Sequence, residues 1–275
     1  HQAGAARVVA DFTFFEESDA VDDRLLAVVA TAAPSVVLAR TTARPPFFWD
    51  EAFVAGHARF FPTPRTGLVE FQADDDGVAR QYPVPGSLAA AALHAPAAAK
   101  GGLLRWSGGL EQIRARGVPV LSAAPFIAAG KPGLEQLVTA SPDLELEPMV
   151  RALATLPSFP QEFTEQVRGR VVFVGANASG TFDVKALPVG KIEPGVLLHW
   201  TAWTNLTASG FITAVPRVSL LAVALLVAAA IMRAGRGQIA LQGPIIMTGG
   251  LVFVLLGGAY ALLSAGWFVP PATPV

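Results

Sequence analysis

Residues 170–174 read Arg-Val-Val-Phe-Val and run directly into Gly175. A short run of β-branched and aromatic residues bounded by Gly169 and Gly175 is the pattern of a buried strand. It is the clearest strand in the chain. It leads into a loop, Gly175–Pro194, and out into a helix, Gly195–Ser209 (GVLLHWTAWTNLTAS). Helical spacing puts Val196, Trp200, Trp203 and Leu206 on one face of that helix.

Working outward, Arg7–Phe15 (RVVADFTFF) reads as a first strand. Asp22 caps a helix with Leu25, Leu26, Val29 and Ala33 on one face, and Pro34 ends it. Ser35–Ala39 (SVVLA) is a second short strand. Strand, helix and strand in succession indicate a parallel crossover. Thr41–Thr66 has no period and reads as a long loop. Gly67–Gln72 and Val78–Val84 flank Ala73-Asp-Asp-Asp-Gly77, a hairpin signal because Asp-Gly accepts positive φ. Ser87–Leu93 is a short apolar helix, and Leu103–Trp106 a further strand closed by Gly108-Gly109. Residues 111–157 hold helix pieces broken by prolines. Ser158-Phe-Pro-Gln161 has capping-box spacing ahead of a helix to Val167. The expected fold is α/β, a mixed sheet flanked by helices.

After Pro216 the chain changes character. Val218–Met232 is apolar apart from Ser219, and Ile239–Leu263 is a second long apolar run. A helix crossing a hydrocarbon core needs about 20 mostly apolar residues. Two spans are therefore expected, at about 213–232 and 239–263, with a third beginning at about 267–275. The domain division is 1–211 outside the membrane and 212–275 within it. Arg233 and Arg236 lie between the two runs, and positive residues stay on the cytoplasmic side of short loops. This orientation places the N-terminal domain outside a bacterial inner membrane that the chain crosses more than once. His1 is no initiator and the last residues look like a span cut off, so a fragment lacking both ends is expected.

Composition narrows the function. Of 275 residues, 52% are hydrophobic and only 15% charged, against the roughly 25% charged of ordinary soluble domains. The formal net charge of −1 gives no electrostatic basis for nucleic-acid binding. Cysteine is absent, which excludes disulfides and thiolate chemistry. Gly175-Ala-Asn-Ala-Ser-Gly180 lacks the Lys-Ser/Thr of a phosphate loop, because Thr181-Phe182 follows, and it reads as a tight turn. Asp74-Asp75-Asp76-Gly77 lacks the alternating ligands of a calcium loop and reads as a solvated turn. His1, His57, His94 and His199 have no metal spacing. His199, between tryptophans, reads as a packed histidine, with a pH-sensitive role as the functional alternative. Asp183 follows the best strand, where open α/β sheets place their ligand crevice. A cap on a local turn is the plainer reading of it.

The stretch 170–210 resembles the C-terminal signature of the type-2 CHASE domains, extracytoplasmic sensory domains of bacterial cyclases and kinases. The matching features are an apolar strand ending at Gly175, the small-residue loop 176–180 with Asn177, and Asp183. The turn Leu187-Pro188 and Pro194-Gly195-Val196 opening a helix through His199 complete it. Asp76-Gly77-Val78-Ala79-Arg80 is similar to the family's D-G-V-x-R turn, and Asp11 to its acidic residue in an apolar strand. Asp22-Asp23, Ser35–Ala39 and Arg105–Gly109 agree. Leu187 stands where threonine is usual, and Gly109 where proline is usual.

The resemblance implies an extracytoplasmic sensor that passes a stimulus through its membrane helices. The receiving part is a cytoplasmic cyclase, histidine kinase or serine/threonine kinase beyond Val275. The ligand-binding or signalling candidates are Asp11, Asp76, Arg80, Gly175 and Asn177, with Asp183, Pro188, Pro194, Gly195 and His199. Expected partners are the membrane, an extracytoplasmic stimulus and a second copy of the chain. No cofactor, metal, catalytic residue or nucleic acid is expected. The competing classes are a membrane-anchored enzyme and an envelope scaffold or dimerisation module.

Overall fold

A computed structural model describes residues 4–13, 36–42, 65–93, 101–124, 160–176, 183–189, 192–208, 210–215, 229, 250, 257–262 and 267–268. The chain divides into two units. The first comprises His1–Gly101 and Trp106–Ser209, and the second Gly102–Arg105 and Gly210–Val275.

The first unit is built on a four-stranded sheet of β1 (Arg7–Asp11), β2 (Val36–Arg40), β3 (Arg65–Leu68) and β6 (Val171–Gly175). The order is β3-β2-β1-β6 and every pairing is parallel. The expected crossover between the first two strands is present. The expectation of a mixed sheet is corrected, since no antiparallel strand joins this sheet among the described residues. The Asp-Gly segment explains why. Its turn forms, with Gly77 at φ +76° donating its N–H to Asp74 O over 2.8 Å. Its arms do not pair into a hairpin. The first arm is used by β3, which runs parallel to β2. The second leaves the sheet, where Ala79 N donates to Ala186 O over 3.0 Å. It continues as β4 (Gln81–Tyr82), whose tyrosine is buried.

Parallel strands are covered on both faces, so they read as continuous apolar runs. β2 shows it, with Val37, Leu38 and Ala39 all buried. On one face, Val9 and Val37 pack against Leu88 and Ala92 of α1 (Leu88–Leu93). Ser87 caps α1: its Oγ accepts from Ala90 N at 3.3 Å and donates to Val84 O at 2.9 Å. A capping side chain of this kind satisfies an otherwise orphaned helix amide. β3 approaches α1 so closely that a β-carbon on Gly67 would overlap the backbone of Leu88.

α2 (Leu110–Ala115) begins after Gly109, whose N–H donates to Gln112 Oε1 over 2.6 Å. Before β6 comes α3 (Gln161–Val167), with Pro160 at its N-cap and no side-chain cap bond. The capping box expected from Ser158 is corrected accordingly, because the helix starts two residues later and leaves Gln161 as its first residue. β7 (Val184–Ala186) and β8 (Ile192–Pro194) form a separate antiparallel pair. The chain then enters α4 (Gly195–Ala208). Its buried positions include Leu198, Thr201, Ala202 and Asn205. The face that carries Val196, Trp200, Trp203 and Leu206 is half-buried. Trp203 still touches the sheet, its ring 5.8 Å from that of Phe173 on β6.

In the second unit, β5 (Gly102–Leu103) accepts at Leu103 O from Ile212 N over 2.8 Å. β9 (Thr213–Ala214) pairs in parallel with β10 (Trp267–Phe268). Residues 257–262, inside the second apolar run, are helical, with Tyr260 exposed. Among the described residues no helix is long and apolar enough to cross a membrane. Most of both expected spans lies outside the described residues. So do the helix expected from Asp22, most of the 41–66 loop and residues 125–157.

Leu88 is fully buried between α1 and the sheet, so its truncation leaves a cavity. Leu88→Ala is expected to cost about 2–5 kcal/mol in urea unfolding. A loss below about 1 kcal/mol would show that this face is not the core.

Candidate functional site

The winding of the sheet reverses at β1. β2 and β3 are added on one side of it and β6 on the other. Open α/β sheets bind ligands beyond the carboxyl ends of the strands where the order reverses. Asp11 is the last residue of β1 and is in register with Gly175, the last of β6.

Two glycines bring α4 down onto this edge. A β-carbon on Gly175 would overlap the side chain of Val196, and one on Gly195 would overlap the carboxylate of Asp183. Gly195 N also donates to Asp183 O over 2.8 Å. The helix start is thus held against both the strand end and the lead into β7. One turn further, His199 reaches the same place. Its Nε2 lies 3.6 Å from Asp11 Oδ1, and the two side chains are 4% and 8% exposed. On the other side of the ring, Nδ1 is 2.7 Å from the Tyr82 hydroxyl. The two rings meet edge to face, with centroids 5.6 Å apart.

Burial pushes the Tyr82 phenol above its ordinary value, so its hydroxyl keeps its proton. That hydroxyl accepts from Ala89 N at 3.4 Å, and in the Nε2–H tautomer of the ring it donates to His199 Nδ1. Nδ1 is then an acceptor, and the imidazole proton resides on Nε2, directed at Asp11. A separation of 3.6 Å is too long for a hydrogen bond, let alone a charge-assisted one. Burial accordingly dominates both partners. It raises Asp11 to about 7, helped by the negative charge of Asp183 and opposed by Lys185. It lowers His199 to about 3, with the positive charge of Lys185 adding to the effect. Asp183 is itself raised by burial, against the pull of Lys185, whose Nζ is 3.6 Å from Oδ1. Asp11 Oδ2 and Thr201 Oγ1 are buried without a hydrogen-bond partner.

The structure brings together Asp11, Gly175, Asp183, Gly195 and His199 of the sequence candidates. Pro194 is buried at the end of β8, opposite Val184. Pro188 is exposed in the turn after β7. Asn177 lies outside the described residues. Asp76 and Arg80 serve a different purpose. Arg80 bonds Asp76 at 2.8 and 2.6 Å and Asp74 at 2.8 Å, which knits the exposed turn. Those hydrogen bonds hold the Asp76 carboxyl down at about 2. Sequence reasoning missed Tyr82 and Lys185. The alternation in which Tyr82 and Val84 are buried while Gln81 and Pro83 are exposed belongs to the fold and left no mark in the sequence. Among the described residues no group of three or more His, Cys, Asp or Glu is placed to hold a metal ion.

Fold and cluster define an α/β domain with a buried polar cluster at the place such domains use for binding. The chain belongs to the CHASE2 domain family, whose model matches residues 1–233. CHASE2 domains are sensory extracellular domains. No curated protein and no solved structure is significantly similar to the chain.

The proton count of the pair has a measurable consequence. Unfolded, Asp11 and His199 titrate near their ordinary values of about 3.9 and 6.5, so between these the pair holds one proton, on the histidine. Folded, with values of about 7 and about 3, it also holds one, on Asp11. The raised acid loses stability as pH rises through this window, and the depressed base gains it, so the two slopes cancel. Asp11→Asn removes only the first. Relative to wild type, its stability is expected to climb with pH between about 4 and 7, by up to about 1.4 kcal/mol per pH unit. Urea unfolding across that range measures it, and parallel profiles for the two proteins would contradict the shared proton.

Proposed function

We propose that this chain is the membrane-anchored extracytoplasmic sensor of a signalling protein. On this reading a stimulus acting on the first unit is relayed by α4 and the membrane helices to a cytoplasmic cyclase or kinase beyond Val275. The observation that carries the reading is the position of α4. The helix supplies His199 to the buried cluster, and among the described residues it is also the last helix before the apolar run that begins at Val218. Membership of an extracellular sensory family supports it, as do the two apolar runs and the arginines between them.

A stimulus is passed on only if it binds two arrangements of the domain with different affinity. A helix that touches the site and continues toward the membrane transmits such a difference by moving as a rigid unit. Rigidity matters at its end. One extra glycine after Ala208, where the helix ends, lengthens the link that follows it and adds backbone freedom.

Reading the gene past Val275 and assaying the encoded output in membranes tests the proposal. A cyclase or kinase region is expected, with an output that depends on the outer domain and loses that dependence on glycine insertion after Ala208. A gene that ends after the membrane helices, or an output untouched by the insertion, would sink it.

A further inference from the structure

Asp11 Oδ2 is the least explained polar atom of the cluster. It is buried, it has no hydrogen-bond partner, and it belongs to a side chain only 8% exposed. Buried carboxylate oxygens are normally satisfied, and an orphan one calls for a reason. The other oxygen faces a histidine at 3.6 Å, beyond hydrogen-bonding range. A carboxylate in that setting is unstable, whereas a protonated carboxyl is not. We propose that Asp11 and His199 form a proton-operated latch between β1 and α4, and that the stimulus this domain reads is the proton concentration outside the cell. The inference rests on the sensor reading above and names its stimulus.

The surroundings fix the direction of the switch. From α4, Asp11 is faced by His199. From the lead into β7 it is faced by Asp183 and Lys185, which act in opposite senses. β6 contributes Gly175, which does not titrate. β4 contributes Tyr82, whose hydroxyl holds the imidazole in the Nε2–H form. α1 offers the Ala89 N–H to that hydroxyl. The carboxylate of Glu193, on β8, is turned to the Leu110 N–H at 3.4 Å. With one proton shared by Asp11 and His199, the contact is neutral and α4 stays docked. Loss of that proton leaves a buried negative charge beside Asp183, with one weak donor in reach. Hydrating that charge requires Asp11 and His199 to part, and α4 is the partner that moves. The titration of Asp11 near 7 puts the change in the range an outer domain meets.

The experiment uses the full chain in lipid nanodiscs. Protection factors of the α4 amides, corrected for intrinsic exchange, are measured by hydrogen exchange from pH 5 to pH 8.5. Infrared absorption of protonated carboxyls is followed over the same range. Each pH unit separating the proton affinities of docked and loosened α4 shifts their ratio about tenfold. In the wild type the docked Asp11, at about 7, and the released His199, at about 6.5, differ by half a pH unit, so α4 protection is expected to fall roughly threefold as one carboxyl signal disappears. Asp11→Asn, which keeps the shape and the neutral charge, should remove the carboxyl signal and the fall, and leave α4 protection rising with pH up to about 6.5 through His199 alone. Tyr82→Phe frees the imidazole tautomer and should move the midpoint without removing it. The latch is overturned if α4 protection is independent of pH while the carboxyl titrates. It is equally overturned if the carboxyl signal is absent at pH 5 or is unchanged in Asp11→Asn. A latch that behaves as expected in a protein whose signalling output ignores pH would overturn the proton as stimulus, whereas the sensor reading itself falls only if the output is also untouched by the glycine insertion after Ala208.

Discussion

Everything at the working end of this domain depends on burying the Asp11 carboxyl at the carboxyl edge of a parallel sheet, under a helix that supplies a neutral histidine. Removing a carboxylate from water costs several kcal/mol unless it is paired or protonated. Here the pairing is loose, at 3.6 Å, so protonation carries the load. The rest of the site serves that constraint. Tyr82 fixes the face His199 presents, Lys185 moderates the field of Asp183, and α4 excludes water by close approach. That approach is possible only because residues 175 and 195 have no side chain.

Much of this was legible in the sequence where the physics is local. The apolar runs at 7–11, 36–40 and 171–175 appear as strands because a parallel sheet buries both faces of its members. Gly195 and Pro194 marked the start of the last helix, and Asp183 and His199 stood out as polar groups beside apolar structure. What could not be read was pairing over distance. The Asp-Gly turn at 76–77 looked like the tip of a hairpin, and the turn is there. Its two arms go to different partners, because β3 gains more by joining β2 in parallel than by folding back on the segment that follows. Likewise helical spacing gathers Val196, Trp200, Trp203 and Leu206 on one face of α4, whereas the helix buries Leu198, Ala202 and Asn205 and leaves Trp200 and Trp203 half-buried. Tyr82 was invisible for the same reason, as nothing near it in sequence says that a histidine 117 positions later will meet it.

A sensor needs two arrangements that differ by little, and a contact whose energy changes sign with a small event is a direct way to supply them. The Asp11–His199 contact has that property because its strength follows a proton count. The exposed Asp76–Arg80 turn does not. Its charges are screened by water and brace a loop, and surface pairs of this type contribute little to stability.

The most direct measurement is the nitrogen NMR spectrum of the His199 imidazole as a function of pH. A neutral ring is expected from pH 4 to pH 8, with Nε2 carrying the proton and Nδ1 showing the shift of a hydrogen-bond acceptor. An imidazolium with both nitrogens protonated at pH 6 would contradict it, and would mean that Asp11 is an ordinary carboxylate in an ordinary ion pair.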